Sequence, residues 1–531
     1  MTATTAEPAA ITSLPTIDTP LSKKQWFILG VLCFTILLIS LDQTVLNVAL
    51  PTLVNDLHPS NSGLEWIVDS YTLIQAVLAL LSGRLGDRFG HRRMFVVGSA
   101  TFGIGSLGCA LVHSTWPLVA MRVLTGLGAV ALMPATLSII VATFEGHHRV
   151  RAIGIWAGIG GIGGAAGPLV GGVLLQHFWW GSVFLINVPI AVIAVVGGML
   201  AIKETREDDP APIDVLGVLL SALGLTALTA AVIFAPSDHW GSRTVLSLIA
   251  SALVLLVAFY RWDSHRQEPL IDFRMFRNSG FSSGIGAVTA MFFAMFGVSF
   301  LLSQYVQFVE GVSVFGVGIR FLPLALGSMI GSNVSPRLMH RFGIKPVLLS
   351  GMSLVVAGLA SLTALEVDSG YLINGVAFAC VGLGMGLAVA PASNAVVSVL
   401  PPDKVGVGSG LRTMLQWLGG ALGVAIVGSI ATAHYRGHVD SAYAGTLRGV
   451  PAGARPSISE QIGRAAIAAR QLPKDVAAKV TSVTDHAFVG GMHLSSLVGV
   501  VVTVLAVVAV AIFMPNDIDI DEEEAKLASS G

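Results

Sequence analysis

Long apolar stretches, broken by short polar, glycine or proline punctuation, recur along nearly the whole chain. They fall at 26–49, 64–82, 94–112, 116–143, 152–175, 182–202, 214–235, 244–260, 281–308, 315–336, 346–365, 371–399, 405–433 and 493–514. An α-helix rises 1.5 Å per residue, so about 20 apolar residues cross the hydrocarbon core of a bilayer. The pattern predicts fourteen transmembrane helices and hence an all-α polytopic membrane protein. Alternation of period two, the mark of half-buried strands, is not the organising pattern.

Composition agrees. Of 531 residues, 54% are hydrophobic and only 11% charged, against about a quarter charged in soluble domains. The 60 glycines have no triplet period, which excludes collagen and suggests close helix packing in lipid. Cys33, Cys109 and Cys380 lie singly in apolar runs, which excludes a disulfide framework and a thiolate metal site. A net charge of −1 argues against a nucleic-acid partner. Lys23 and Lys24 precede the first run with no small-residue cleavage site behind it, so an uncleaved first span is expected.

The basic residues predict orientation. Loops assigned to the cytoplasm hold nineteen, among them Arg84, Arg88, Arg92, Arg93, Arg149, Arg266 and Lys345, against Arg243 alone in the short loops opposite. Both termini are therefore expected inside, in the plasma membrane.

An internal repeat divides the chain. Gly83–Arg93 and Pro336–Pro346 share five of eleven positions at an offset of 253, and Gly163–Gly167 echoes Gly419–Gly423 at an offset of 256. The reading is a cytoplasmic tail at 1–25, a six-helix bundle at 26–202, a linker with two inserted helices at 203–280, and a second six-helix bundle at 281–514. This second bundle carries an extracytoplasmic loop at 434–492, and an acidic cytoplasmic tail follows at 515–531. Repeat interfaces near the midplane are where transporters build their sites.

With these motifs in order, the chain resembles the fourteen-span drug:proton antiporters of the major facilitator superfamily. Leu41–Pro51 looks like that family's first-span signature, Gly83–Arg93 like the superfamily loop, Arg122–Gly128 like the fourth-span arginine motif, and Gly163, Gly167, Pro168, Gly171 and Gly172 like the fifth-span antiporter motif. Trp66–Tyr71 looks closest to exporters of quaternary ammonium compounds and dyes. Thr125, His340 and Gln416 depart from the pattern; Arg412 lies one turn before Gln416. The resemblance implies a major facilitator fold of two six-helix bundles plus two helices, and proton-coupled efflux of amphipathic, cationic compounds by alternating access, including antibiotics. It also implies a charge latch at Asp87 with Gly83, Arg88, Gly90, Arg92 and Arg93, and a hinge at the fifth-span glycines. An exporter of one endogenous lipid or metabolite is the alternative; an integral-membrane enzyme or a passive channel fits less well.

The residues give these roles a physical basis. Asp42 lies deep in the first span, where an ionised carboxylate costs roughly 2.5 to 3.5 kcal/mol on insertion scales. A carboxyl that is neutral in one state and ionised in another is what proton coupling needs. Arg122, the one charge in the fourth span, is placed to stabilise ionised Asp42. Asp69 and Glu310 are each placed to hold a cation's charge or to relay protons. Glu65 reads as a solvated helix start, and Arg92 and Arg93 as facing anionic lipid heads. Trp66, Tyr71, Trp156, Phe292, Phe296 and Trp417 offer aromatic faces to a lipophilic cation. Phe292, Phe296 and Phe300 share one stripe that also reads as lipid-facing packing. Gly158, Gly160 and Gly163 match a dinucleotide fingerprint only formally, with no strand before them. No catalytic residues, metal or cofactor are expected. The proton gradient would supply the energy; the partners are a lipophilic small molecule, protons and membrane lipids, and a monomer is expected. The 434–492 segment caps the outer vestibule, contacts an accessory protein, or only links two spans.

Overall fold

The computed structural model describes residues 21–516 apart from 145, 207–213, 239, 267–268, 272 and 398–404. Most of the tails therefore lies outside the described residues, as do the side chains of Asn47, Asp87 and several residues between 146 and 165. The described residues form helices and no strand. The first half comprises α1 (Lys23–Leu57), α2 (Asn61–Phe89), α3 (His91–Leu111), α4 (Thr115–Thr143), α5 (Gly146–His177), and the broken α6 (Ser182–Leu185) and α7 (Asn187–Ala201). The inserted pair is α8 (Val215–Asp238) and α9 (Arg243–Asp263). The second half runs α10 (Ser279–Gln304) with a π-helical turn at Tyr305–Val309, α11 (Val314–Arg320), α12 (Leu322–Phe342), α13 (Ile344–Leu362), α14 (Tyr371–Val397) and α15 (Val405–Ala442). It ends with α16 (Arg455–Glu460), α17 (Ile462–Ala469) and α18 (Lys474–Phe513).

Twelve of these helices are long and apolar enough to cross a bilayer. The bent pair Gly158–Gly164 and Ala166–His177 within α5 adds a thirteenth. The 29-residue α2 has the length for a span but carries Glu65, Asp69, Arg84, Asp87 and Arg88, which lower its hydropathy. The architecture is thus consistent with fourteen passes. Leu200, Val254, Leu372 and Ile512 are each well over half exposed on their helices, the surface expected where lipid is the solvent.

Local chemistry sets the helix ends. Ser22 and Gln25 form a reciprocal capping box at the start of α1, and Ser60 caps α2 by accepting from the Gly63 N–H at 3.0 Å. The α2–α3 and α12–α13 junctions are single glycines with positive φ, Gly90 at +97° and Gly343 at +83°. Only glycine takes this conformation without strain, and the two lie at the repeat's offset of 253.

Small residues bring the helices together. Gly163, Gly167 and Gly171 of α5 lie against Leu37, Ser40, Thr44 and Val45 of α1. In the second half, Gly419 and Gly423 of α15 lie against the Thr289 and Phe293 carbonyls of α10. The two pairs are equivalents under the repeat. Pro168 has no N–H for the Gly164 carbonyl, so the i to i−4 ladder breaks and α5 bends by 40° one turn earlier.

The halves meet along two equivalent seams, α2 with α15 and α5 with α11 and α12. We call the face carrying Ser22 and Met514 the tail face, and the other the loop face. At the loop face, Gly318 of α11 packs on the Pro168 carbonyl, and a Cβ on Gly172 would lie 3.0 Å from Phe315 Cα. The α16–α17 segment closes this end: Gln461 Nε2 donates to the Pro59 carbonyl at 2.9 Å, and Gly463 packs on Val54 and Phe308. Tyr435 and Tyr443 tie the same segment to α15 by donating to the Ile458 and Arg455 carbonyls at 2.8 and 3.0 Å. Burial pushes the Tyr443 hydroxyl above its ordinary pKa, which keeps it a donor.

The inserted α8 packs on both α2 and α15, with Ser429 Oγ donating to the Val232 carbonyl at 2.7 Å. At its base, buried Asp214 accepts from Trp262 Nε1 at 3.0 Å and from the Gly217 N–H at 3.0 Å. Asp263 accepts from the Leu270 and Ile271 N–H groups at 2.6 and 3.0 Å.

Replacing Gly167 with leucine should drive a side chain into Thr44 and lower stability by about 1–3 kcal/mol, the usual cost of overpacking. A thermal unfolding curve in detergent reads this directly; an unchanged midpoint would show that the close approach of α1 and α5 is not required.

Candidate functional site

The polar centre of the first half is a network buried in otherwise apolar helices. Asp42, fully buried on α1, accepts from Arg122 Nη1 of α4 at 2.7 Å through Oδ2. Its other oxygen accepts from Asn187 Nδ2 at 2.9 Å, and Asn187 also reaches Ser106 Oγ of α3 at 3.3 Å. Arg122 Nε donates to the Ile67 carbonyl of α2 at 3.4 Å. Its guanidinium lies 4.2 Å over the Tyr71 ring and 5.8 Å from the Phe184 ring. One ion pair thus draws together α1, α2, α3, α4 and α7.

The Asp42–Arg122 pairing expected from the sequence is present. Asn187 and Ser106 were not anticipated; an asparagine inside the apolar run of span six was the available signal. Tyr71 is 1% exposed with a face covered by Arg122, so it presents no open aromatic surface to a substrate. Thr125, where the family's motif often has glutamine, donates to the Met121 carbonyl at 2.8 Å and lies 3.9 Å from Cys109 Sγ.

The other carboxyls separate into two environments. Asp69 is fully buried on α2, and neither oxygen has a hydrogen-bond partner. Glu310 follows the π-helical turn and is ion-paired with Arg320, while its Oε1 accepts from Asn374 Nδ2 at 2.7 Å. Arg320 in turn sits 5.1 Å over the Tyr371 ring. Glu310 is therefore engaged within the second half. Glu65 corrects the sequence reading: it is 1% exposed rather than solvated, because α2 starts inside the seam and packs this side chain on Gly428 of α15.

The aromatic candidates divide likewise. Phe292 and Phe296 stack at 6.1 Å between centroids, and Trp417 meets their edges at 6.1 and 6.0 Å. This cluster joins α10 to α15, so Phe292 and Phe296 face a protein neighbour rather than lipid; Phe300 is buried in the core. Trp66 and Trp156 are half-buried in separate clusters, each with an indole N–H lacking a partner. Arg412 on α15 has an unpartnered Nε.

In the α2–α3 loop, Asp87 lies outside the described side chains, and Arg88 is exposed. Arg92 and Arg93 do not simply face lipid heads. Glu204, just past α7, accepts from the Arg92 backbone N–H at 3.0 Å and pairs with Arg93 at 3.7 Å, and Arg92 Nη2 donates to the Met199 carbonyl at 2.7 Å. Glu204 thus supplies negative charge at the N-terminus of α3, where the helix dipole favours it. It was missed in the sequence, where it sits between Lys203 and Arg206 in a polar connection.

Two pseudo-equivalent helical halves around buried intramembrane charges are the architecture of a membrane transporter. The profile of the Major Facilitator Superfamily matches residues 32–424, and the chain belongs to that family. It is 33% identical to the tetracenomycin C resistance and export protein of Streptomyces glaucescens over 96% of this chain and 95% of that one. It is also 33% identical to the multidrug efflux pump LfrA of Mycolicibacterium smegmatis, over 92% and 96%. The methyl viologen resistance protein SmvA of Salmonella typhimurium is 32% identical over 88% and 93%. The fold is shared with a bacterial homolog of the human lysosomal transporter Spinster, captured inward-facing, at a TM-score of 0.65 and 16% identity over 93% of this chain and 98% of that one.

Breaking a buried pair strands the remaining charge, so Arg122→Ala should cost about 3–5 kcal/mol. Adding Asp42→Asn should recover part of that loss. Thermal unfolding of the single and double variants tests the coupling; strictly additive losses would contradict it.

Proposed function

We propose that the protein is a proton-coupled exporter of amphipathic, cationic small molecules in the plasma membrane, with both termini in the cytoplasm. The carrying observation is the buried Asp42–Arg122–Asn187 network at a helix junction, in a chain similar over most of its length to drug-export proteins. The nineteen-to-one bias of basic residues supports the orientation. On that orientation the loop face is extracellular, and the packing of α5 on α11 with the cap above it corresponds to a state closed to the outside.

In this reading Asp42 alternates between a protonated form and an ionised form held by Arg122 and Asn187. Ionisation in the inward-open state tightens α1 against α4 and releases a proton to the cytoplasm. The vacated positive balance is met by a cationic substrate, for which Phe292, Phe296 and Trp417 supply a π-face. Rocking about the glycine seams then carries the substrate outward. The gating loop, held by Glu204 at the α3 N-terminus, keeps the tail-face ends of α3 and α7 together. Protons and lipids are the remaining partners of a monomer that uses no cofactor.

In everted vesicles with an imposed pH gradient, Asp42→Asn should abolish ethidium transport while still inserting. Uphill transport by this variant would overturn the role. Trp417→Ala should raise KM for cationic dyes with little change in kcat; a loss confined to kcat would remove the aromatic cluster from substrate binding.

A further inference from the structure

Glu65 lies in neither the ion-pair network nor the aromatic cluster, yet it sits in the α2–α15 seam. Its Oε1 accepts from Asn61 Nδ2 at 2.8 Å, and Asn61 in turn contacts Thr432 of α15. Its Oε2 is buried without a hydrogen-bond partner, one turn from Asp69, whose oxygens are likewise unpartnered. Residues four apart share a helical face, so this face of α2 holds two buried carboxyls, neither in an ion pair. Arg122 of α4, whose Nε reaches the Ile67 carbonyl of α2, is committed to Asp42.

The surroundings of Glu65 are otherwise apolar or neutral. Gly428 leaves room for the carboxyl: a Cβ there would come within 2.7 Å of Oε1. Phe300 of α10 meets the same glycine, and Thr432 of α15 is reached through Asn61. Beyond Asn61, a cavity of about 20 Å³ beneath the cap is lined by Gln304, Thr432, Tyr435, Glu460 and Gln461, room for about one water. Glu460 at its rim is ion-paired with Arg464 and partly exposed at the loop face. The other acids on the elements packed around this end are Asp56 at the end of α1, Asp440 of α15, which accepts from Ser459 Oγ, and Asp475 and Asp485 of α18.

We propose that Glu65, with Asp69, forms a proton-operated clasp between α2 and α15, loaded from the loop face through the cavity beneath α17. With a proton on each carboxyl, α2 seats against Gly428 and Thr432 and the loop face closes. Loss of the Glu65 proton places an uncompensated charge in an apolar seam beside a second carboxyl, and the seam parts until water reaches it. A proton taken up from outside therefore does mechanical work at the outer gate, separately from Asp42. The inference rests on the exporter reading for the source of the protons.

The test places a cysteine at Ala431, which lines the same cavity, in proteoliposomes of the full chain. Labelling by a membrane-impermeant maleimide is followed from mildly acidic to mildly alkaline pH, against the parent protein with its three native cysteines. Labelling should rise with pH in the Ala431→Cys protein, remain low throughout when Glu65→Gln is added, and recover its rise with Glu65→Asp. A rise that survives Glu65→Gln, or no rise in the Ala431→Cys protein alone, overturns the clasp. Ethidium efflux in the same vesicles separates the two ideas. Gradient-driven efflux without the pH-dependent labelling overturns the clasp alone, and absence of gradient-driven efflux overturns the exporter reading and the clasp with it.

Discussion

The interaction on which the first half depends is the buried pairing of Asp42 with Arg122. Neither group tolerates the membrane interior alone, and each removes the other's penalty only at contact distance. Holding them at 2.7 Å fixes α1 against α4. The remaining lone pairs and N–H groups must also be met, which recruits Asn187 from α7, the Ile67 carbonyl from α2 and the Tyr71 ring. An apolar bundle would have many near-equivalent packings. One buried ion pair with directional partners selects among them, and the same pair can be undone by a proton.

Glycine does the complementary work. Lipid offers no hydrophobic force to press helices together, so close packing has to come from small residues. The contacts of Gly163, Gly167 and Gly171 with α1, mirrored by Gly419 and Gly423 with α10, make each half rigid near its centre. Between the halves the glycine contacts near the loop face are Gly172 and Gly318 at one seam and Gly428 with Glu65 at the other. Rigid halves joined by a narrow, glycine-lined seam can rock without leaking.

Hydropathy and repeats made the architecture legible before any coordinates, because the bilayer imposes both the length of a span and the satisfaction of its backbone within the helix. The equivalent positive-φ glycines, Gly90 and Gly343, bear out the repeat read from five matched positions. Asp42 and Arg122 were legible as candidates because a charge within an apolar run is conspicuous. Asn187 and Glu204 were not: an amide inside an apolar run and an acid in a polar loop look ordinary until a partner from a distant helix arrives. Glu65 was misread because its position near the start of a span suggests solvent, whereas the seam with α15 buries it. Tyr71 shows the same limit, since spacing cannot tell which aromatic face stays open.

The account's central claim is that substrate and proton exchange at a buried carboxyl. The most direct measurement is proton release by the purified transporter in weakly buffered detergent solution on addition of ethidium, read with a pH-sensitive dye. The parent should release protons in proportion to substrate bound, and Asp42→Asn, still folded by its unfolding curve, should bind without the release that depends on Asp42. Release of the same number of protons by Asp42→Asn would contradict the account.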